Sequence, residues 1–372
     1  MSERAAPLVL LAAGGTGGHL FPAEALAVAL ARRGIVVDLA TDERATRYGH
    51  DFPARATHVI PSATIRGRDP ISMVKTLSAL ALGAGKALLM LRRTRPAAVV
   101  GFGGYPTLPP VLAATLRRIP TVIHDANAVM GRANRMLAPR VSAIATSFPG
   151  ITLDAAFAAK ATFTGYPIRP AVISAAAVGY PALNTAGTFN LLVTGGSQGA
   201  RVMSDIVPPA VEAMPAELRA RLSIVQQARG EDEQRVAATY TRLGVKAEVA
   251  PFFSDLPLRI AAAHLIVSRS GASTVAELAA IGRPAILVPL PGALDQDQLA
   301  NANVLAAAGG AIVLKQDDFT PERLAQELAR LAADPAALPA MAAGAKSAGV
   351  LDAADRLADL VLRVANVIPA SR

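Results

Sequence analysis

The chain has 372 residues, of which 52% are hydrophobic and 4% aromatic, and it contains no cysteine and no tryptophan. This length exceeds the size at which one hydrophobic core usually stops growing, so two domains are predicted. The absence of cysteine excludes disulfides, thiolate catalysis and thiolate metal sites. The scarcity of aromatic side chains argues against a nucleic-acid partner, because base-stacking surfaces need aromatic faces.

Positive charge is concentrated in the first half of the chain, although the net charge is only +9. Residues 1–170 contain 20 Lys and Arg against 9 Asp and Glu, whereas residues 171–372 contain 17 against 19. A basic half of this kind suits an anionic substrate or an anionic lipid surface.

Short aliphatic runs alternate with longer Ala- and Leu-rich stretches along the whole chain. This pattern predicts strand–helix–strand units with parallel sheets, and therefore the α/β class. The predicted strands are Leu8–Ala13, Val36–Ala40, Ala98–Gly101, Thr121–His124 and Ala143–Thr146, then Phe189–Thr194, Leu222–Gln227, Leu265–Ser268, Ala285–Val288 and Ala311–Leu314.

A stretch that contains several Pro, Gly and small residues, about 167–188, separates the two series of strands. We therefore predict two doubly wound, Rossmann-like domains that face each other across a cleft. The predicted N-terminal domain covers residues 1–168 and the predicted C-terminal domain covers residues 169–349. A last helix, about 350–372, is predicted to pack back on the first domain.

Three glycine-rich loops follow predicted strands: GGTGGH at Gly14–His19, GFGGYP at Gly101–Pro106 and GGSQGA at Gly195–Ala200. Glycines let a backbone approach a ligand closely, and free amides at a helix N-terminus suit phosphate groups. The first loop does not fit the dinucleotide pattern GxGxxG, because its third glycine would fall on Leu20. These loops predict a ligand crevice at the carboxyl ends of the strands.

The segment Ile71–Arg95 is long and apolar, but Lys75, Lys86 and two glycines argue against a bilayer span. Two interpretations remain open. It is either a buried domain helix or an apolar surface that rests, beside Arg92 and Arg93, on an anionic membrane.

Polar residues also follow the later strands. Arg269 and Ser270 come directly after one strand, and Glu277 lies on the helix that follows. Asp295, Gln296, Asp297, Gln298 and Asn301 follow the next strand, where amides and carboxylates suit sugar hydroxyls. Asp295 and Asp297 also form an Asp-x-Asp pair, but helix dipoles and an arginine can stabilise a leaving diphosphate without metal. We predict no metal and no cofactor.

In combination, five motifs identify a family resemblance that covers nearly the whole chain. GGTGGHLFP at Gly14–Pro22, GFGGYP, His124–Asn127, GGSQGA and SRSGASTVAEL at Ser268–Leu278 resemble the MurG family in the family's order. That family comprises the UDP-N-acetylglucosamine:N-acetylmuramyl-(pentapeptide) pyrophosphoryl-undecaprenol N-acetylglucosaminyltransferases, which have the glycosyltransferase B fold.

The resemblance implies an inverting hexosyltransferase. It would move N-acetylglucosamine from UDP-GlcNAc to the C4 hydroxyl of the muramoyl sugar of lipid I, and so make lipid II for peptidoglycan synthesis. It implies a peripheral protein on the cytoplasmic face of the inner membrane, with UDP-GlcNAc, lipid I and an anionic membrane surface as its partners.

The resemblance also implies roles for individual residues. His19 is the candidate base, although a positioning or phosphate-binding role is an equal alternative. Gly14, Gly15, Gly103, Gly104 and Tyr105 would lie on the acceptor side, which Thr16 and Asn127 would also line. The implied donor-binding residues are Thr16, Gly17, Gly18, Asn127, Arg169, Ser197, Gln198, Phe253, Arg269, Ser270, Glu277 and Gln298.

Several positions depart from the family pattern. Ala126 replaces the Gln of HEQN, Tyr166 replaces the Asn of GNPVR, and Asp297 replaces a Gln or His. The segment Gln226–Arg229 stands where HQTG or HQSG is usual. The alternatives are another two-domain UDP-sugar enzyme, either a glycolipid glycosyltransferase or a UDP-GlcNAc 2-epimerase, and a non-catalytic membrane-associated scaffold.

Overall fold

The computed structural model describes residues 6–14, 17–43, 52–62, 70–151, 153, 155–182, 187–196, 199–293 and 296–367, with the backbone alone for 70–77. The chain divides into two compact units. The N-terminal unit comprises Met1–Arg169 and Leu351–Arg372, and the C-terminal unit comprises Pro170–Val350.

The N-terminal unit is built on a parallel sheet in the order β3-β2-β1-β4-β5-β6-β7. Its strands are β1 Leu8–Ala12, β2 Val36–Thr41, β3 Ala56–Val59, β4 Ala98–Gly101, β5 Thr121–Asp125, β6 Ala143–Thr146 and β7 Ala161–Phe163. Its helices are α1 Gly17–Ala31, α2 Pro70–Thr94, α3 Leu108–Leu116, α4 Arg132–Leu137 and α5 Ala155–Ala158, with a 3-10 turn at Tyr105–Thr107.

The C-terminal unit repeats this plan with the order β10-β9-β8-β11-β12-β13. Its strands are β8 Phe189–Thr194, β9 Leu222–Gln227, β10 Lys246–Ala250, β11 Leu265–Ser268, β12 Ala285–Leu287 and β13 Ala311–Val313. Its helices are α6 Pro170–Ala176, α7 Arg201–Ala213, α8 Ala216–Arg219, α9 Gly230–Arg242, α10 Leu256–Ala262, α11 Ala272–Ile281, α12 Asp297–Ala307, α13 Pro321–Ala333 and α14 Ala337–Ser347.

The last helix, α15 (Ala353–Ala365), belongs to the N-terminal unit. Its apolar face, which includes Leu357 and Val361, is buried in the same core as α1. Asp355 accepts hydrogen bonds from Arg32 and Arg33 at the end of α1, with N–O distances of 3.1 and 2.9 Å. Helix α15 is thus fixed to the N-terminal unit by both packing and charge.

Strand β1 shows why a continuous apolar run becomes a central parallel strand. Val9 and Leu11 face the core that contains α1 and α15, whereas Leu10 and Ala12 face the core that contains α2 and α3. Because successive side chains point to opposite faces, a strand covered on both faces must be apolar throughout. The prediction of two parallel α/β domains is confirmed.

All ten predicted strands are present, but β3, β7 and β10 were not predicted. Each of these three lies at the edge of its sheet. Their residues are half-buried or exposed, so their sequences lack the apolar run of a central strand. The sequence pattern therefore found every strand with a continuous apolar run, including the edge strand β13, and missed the three edge strands of mixed sequence.

Helix α2 is buried on one face and exposes apolar side chains on the other, and contact of the exposed face with a membrane stays a prediction. Ala87 and Leu91 are buried, and the helix packs against α3. Leu82 and Leu89 on the other face are 58% and 55% exposed. Within the described residues, no helix is both long and apolar enough to cross a membrane.

Candidate functional site

Both units bring their glycine-rich loops to the point where the strand order reverses. In the N-terminal unit β1 pairs with β4, so the loops after Ala12 and Gly101 emerge side by side. In the C-terminal unit β8 pairs with β11, so the loops after Thr194 and Ser268 do the same. Such switch points are where open α/β sheets bind ligands.

The two N-terminal loops are packed tightly together. A Cβ added to Gly14 would lie 2.7 Å from Cβ of Pro106, so no larger residue fits at position 14 without displacing the second loop. Gly103 and Gly104 have φ angles of 82° and 74°, a region that glycine alone adopts easily. Tyr105 follows in the 3-10 turn and is half-buried.

His19 lies in the first turn of α1, directly against this second loop. A Cβ on Gly104 would stand 3.3 Å from its Nε2, and one on Gly103 would stand 3.5 Å from its Cε1. Burial lowers the pKa of His19 below its ordinary value, although a hydrogen bond with the backbone of Phe102 acts in the opposite direction. The imidazole is therefore neutral at neutral pH and has the protonation state that a general base needs.

A buried polar network behind His19 shapes the loop that carries Asn127. Asp125 accepts hydrogen bonds from the backbone N–H groups of Asn127 and Gly131 and from Nδ2 of Asn134, over 3.0–3.3 Å. Burial raises the pKa of Asp125 in spite of these donors. Because one carboxylate holds both ends of the turn, the position of Asn127 is fixed by the side chain two residues before it.

His124 is fully buried and lies next to Ser147. The Ser147 hydroxyl donates to the carbonyl of Asp125 over 2.7 Å, so Nε2 of His124, 3.1 Å from the same hydroxyl oxygen, must be the donor. Burial, with a smaller contribution from the neighbouring His19, lowers the pKa of His124 to about 4, although a hydrogen bond with the backbone of Gly165 acts in the opposite direction. His124 is thus a neutral structural group behind the site.

Arg169 ends the N-terminal unit and contacts α1. Its guanidinium carbon lies 3.9 Å from the ring centroid of Phe21. The pKa of Glu24 on the same helix is raised by burial and lowered in part by the charge of Arg169. Within its unit, the structure therefore places Arg169 beside the first turns of α1, and its contact with a bound nucleotide stays a prediction.

In the C-terminal unit, Gln227 joins two loops at the ligand edge of the sheet. Its Oε1 accepts from the Thr194 hydroxyl and from the backbone N–H of Gly195, each over 3.1 Å. Its Nε2 donates to the carbonyl of Pro251 over 3.1 Å. Since β9 lies between β8 and β10, one amide at its end ties the GGSQGA loop to the loop that carries Phe253.

Arg269 is only 8% exposed and is surrounded by neutral acceptors. It donates to the carbonyls of Val288 and Pro289, each over 3.1 Å, and to Oε1 of Gln316 over 2.6 Å. Burial lowers its pKa, but the guanidinium stays charged. These hydrogen bonds hold the loop after β12. A direct contact between Arg269 and a diphosphate stays a prediction.

Ser270 connects the starts of α11 and α12. Its hydroxyl donates to the carbonyl of Gln298 over 2.8 Å, and its own carbonyl accepts from Nδ2 of Asn301 over 3.2 Å. The side-chain oxygen of Gln298 accepts from the backbone N–H of Leu290 over 3.0 Å. Asp297 begins α12, where its carboxylate accepts from the N–H of Gln298 over 2.8 Å.

Four further predicted donor-binding residues, Glu277, Phe253, Gly17 and Gly18, lie in the described part of the chain. Glu277 is buried on α11, two turns from the loop of Arg269 and Ser270. Phe253 is buried, and the guanidinium of Arg259 lies 4.3 Å from its ring centroid. Gly17 and Gly18 form the start of α1.

Four predicted site residues lie outside the described part of the chain: Gly15, Thr16, Ser197 and Gln198. Asp295 of the Asp-x-Asp pair does as well. Among the residues that the structure does describe, no three His, Cys, Asp or Glu side chains are grouped as metal ligands.

Two polar residues of the site were not assigned a role from the sequence. Gln227 was noted only as part of a departure, and Tyr166 only as a substitution, yet the Tyr166 hydroxyl donates to the carbonyl of Gly18 over 3.0 Å. The sequence feature that could have indicated this contact is Pro22, four residues after Gly18. A proline inside a helix has no N–H to donate to the carbonyl four residues before it.

The sequence and the fold both resemble known proteins. Residues 9–146 match the glycosyltransferase family 28 N-terminal domain, and residues 190–357 match the glycosyltransferase family 28 C-terminal domain. A UDP-N-acetylglucosamine–N-acetylmuramyl-(pentapeptide) pyrophosphoryl-undecaprenol N-acetylglucosamine transferase of Rhodopseudomonas palustris (strain BisA53) is 62% identical over 363 residues, 97% of each chain.

Solved structures show the same likeness. MurG of Acinetobacter baumannii superimposes with a TM-score of 0.78 at 30% identity, and the match covers 96% of this chain and 99% of that one. A UDP-GlcNAc 2-epimerase from Neisseria meningitidis, bound to UDP-GlcNAc, gives a TM-score of 0.67 at 12% identity over 96% and 100% of the two chains. The second likeness shows a shared fold alone.

Proposed function

This chain belongs to glycosyltransferase family 28, as its resemblance to the MurG family predicted, and we propose that it transfers N-acetylglucosamine from UDP-GlcNAc to lipid I. The product is lipid II, the disaccharide precursor of peptidoglycan. The observation that carries this proposal is the 62% identity to a transferase of that name over 97% of both chains. The fold is the predicted glycosyltransferase B type.

In the proposed reaction the C4 hydroxyl of the muramoyl sugar attacks the anomeric carbon of N-acetylglucosamine. A new C–O bond forms while the bond to the UDP oxygen breaks, so the configuration inverts and UDP leaves with the electron pair. The hydroxyl proton moves to a base, and we assign this role to His19 because its imidazole is held neutral at the loop edge.

Two features support donor binding in the C-terminal unit. The GGSQGA loop begins at a switch point, where backbone amides suit a diphosphate. The buried charge of Arg269 lies behind the neighbouring loop and favours negative charge that develops on UDP. Ser270 and Gln298, which are joined by a hydrogen bond, are the proposed contacts to the donor sugar or diphosphate.

Charge and exposed apolar side chains in the N-terminal unit support the proposal that the acceptor is anchored in a membrane. Residues 70–124 contain seven Lys or Arg and no Asp or Glu. The neighbouring helices α2 and α3 expose Leu82, Leu89, Leu112 and Leu116. We infer that this face, the α2–α3 surface, rests on the anionic cytoplasmic face of the inner membrane, where lipid I is anchored.

A UDP-release assay tests the proposal. The purified chain is given UDP-GlcNAc and a lipid I analogue with a soluble tail, in EDTA, with UDP-GalNAc and UDP-glucose as donor controls. Acceptor-dependent release that is selective for UDP-GlcNAc supports the transferase. The absence of acceptor-dependent release from UDP-GlcNAc would refute it.

A further inference from the structure

The first helical turn of α1 contains a carbonyl that the helix itself cannot satisfy. In an α-helix, each carbonyl accepts from the N–H four residues later. For Gly18 that residue is Pro22, which lies inside α1 and has no N–H. The Gly18 carbonyl is partly buried, and a carbonyl that lacks a donor away from water costs free energy, so a donor from elsewhere stabilises this turn.

Tyr166 supplies that partner across 148 residues of sequence. Its hydroxyl donates to the Gly18 carbonyl over 3.0 Å, and its side chain is 4% exposed. The ring is held in place by His124, whose ring centroid lies 6.0 Å away in an edge-to-face arrangement. Packing against His124 therefore holds the Tyr166 ring in the position from which its hydroxyl donates to Gly18.

Residues 166–169 make a second contact with α1. Three residues after Tyr166, the guanidinium of Arg169 lies 3.9 Å from the ring centroid of Phe21, three residues after Gly18. Residues 166–169 thus contact the first turn of α1 at two points. Between these points lies His19, whose ring faces Gly103 and Gly104.

We propose that Tyr166 is a positioning residue for the transfer reaction: its hydroxyl replaces the helical donor that Pro22 lacks and thereby fixes the turn that carries His19. This inference rests on the proposed function, because it assigns a purpose to the position of His19. The contact acts on the carbonyl of Gly18 in the helix turn, whereas the donor contacts proposed above, Ser270 and Gln298, lie in the C-terminal unit.

The test compares Tyr166→Phe with a matched control, Tyr180→Phe, in the full chain. Tyr180 also donates its hydroxyl to a carbonyl, that of His264, over 2.9 Å, but in the C-terminal unit away from the predicted site residues. Amide hydrogen exchange of residues 17–24 and steady-state kinetics are measured for both. We expect Tyr166→Phe to speed exchange and to lower kcat, each about 5- to 10-fold, with KM for UDP-GlcNAc unchanged.

A double-mutant cycle isolates the mechanism. Pro22→Ala restores an N–H four residues after Gly18, so Tyr166→Phe should cost less than about twofold in that background. The proposal is overturned if Tyr166→Phe changes neither exchange nor kcat, if Tyr180→Phe lowers kcat equally, or if Pro22→Ala does not reduce the cost. If the wild-type chain showed no transferase activity, the proposed function would be refuted instead. The exchange rates of residues 17–24 would then still show whether the Tyr166 hydroxyl stabilises the first turn of α1.

Discussion

The imidazole of His19 lies so close to Gly104 that a Cβ at position 104 would stand 3.3 Å from its Nε2. His19 and Gly104 are 85 residues apart in sequence, so two distant glycine-rich motifs meet at one histidine. The position of this ring depends on the absence of a side chain from the neighbouring loop.

Gly104→Ala should impair turnover more than it impairs folding. The φ and ψ angles of 74° and 161° at Gly104 are unfavourable for alanine by about 1–3 kcal/mol, and the added methyl group displaces the imidazole. We expect kcat to fall at least about 10-fold. The control is Gly244→Ala, where φ is also positive, 66°, but no atom lies within 4 Å of the new Cβ. Equal kcat values for the two variants would contradict this account.

The pH dependence of transfer reports on His19. A base must be unprotonated, and the pKa of His19 is lowered from 6.5, so the acid limb of kcat/KM should fall below pH 6.5. His19→Gln should remove this limb and reduce turnover about 10²- to 10⁴-fold. His58→Gln, on β3, serves as the histidine control. If His19→Gln retains the acid limb, the base is another group.

Acid should destabilise the N-terminal unit through His124. The pKa of this buried histidine is lowered from 6.5 to about 4, so the unfolded chain binds the proton first as the pH falls. The stability is fully present above pH 6.5 and is lost as the pH falls from 6.5 towards 4. Between pH 7.5 and 5 the wild type should lose about 2 kcal/mol more unfolding free energy than His124→Asn. Parallel losses in the two proteins would show that His124 does not contribute.

Gln227 should control donor affinity. Gln227→Ala removes the amide that joins Gly195 to Pro251, and both loops then lose a fixed partner. We expect Kd for UDP, measured by calorimetry, to rise about 5- to 30-fold. Gln234→Ala, an exposed position on α9, is the control. An unchanged Kd in a folded Gln227→Ala protein would contradict the assigned role.

The α2–α3 surface should determine membrane binding. Leu82→Ser with Leu89→Ser removes apolar contact, so co-sedimentation with phosphatidylglycerol vesicles should weaken about 10-fold. Leu258→Ser is the matched control, because Leu258 is 58% exposed, as Leu82 is, but lies in the C-terminal unit. Activity on a soluble acceptor should not change in any of these variants. Equal vesicle binding by all the proteins would argue against this surface.

The sequence predicted those features that depend on local pattern. Buried strands such as β1 and β12 are apolar along their whole length, and glycine loops after strands mark the ligand edge of a parallel sheet. The edge strands β3, β7 and β10 were missed because one-sided burial leaves a mixed sequence.

Contacts between distant segments could not be predicted in the same way. The sequence did not indicate that the guanidinium of Arg269 donates to Val288, Pro289 and Gln316, and its contact with a diphosphate stays a prediction. The hydroxyl of Tyr166 donates to the carbonyl of Gly18 across 148 residues of sequence, so this contact depends on the tertiary fold. Residue type indicated chemical capacity at these positions, but the partner was set by tertiary structure.

Transfer of N-acetylglucosamine to a lipid-linked muramoyl acceptor is best tested by mass spectrometry and NMR of the reaction products. With UDP-GlcNAc and a lipid I analogue, we expect one added N-acetylhexosamine, joined by a β linkage to C4 of the muramoyl sugar. Without the acceptor we expect no new UDP-sugar. An unmodified acceptor together with a second UDP-sugar would contradict this proposal and indicate an epimerase.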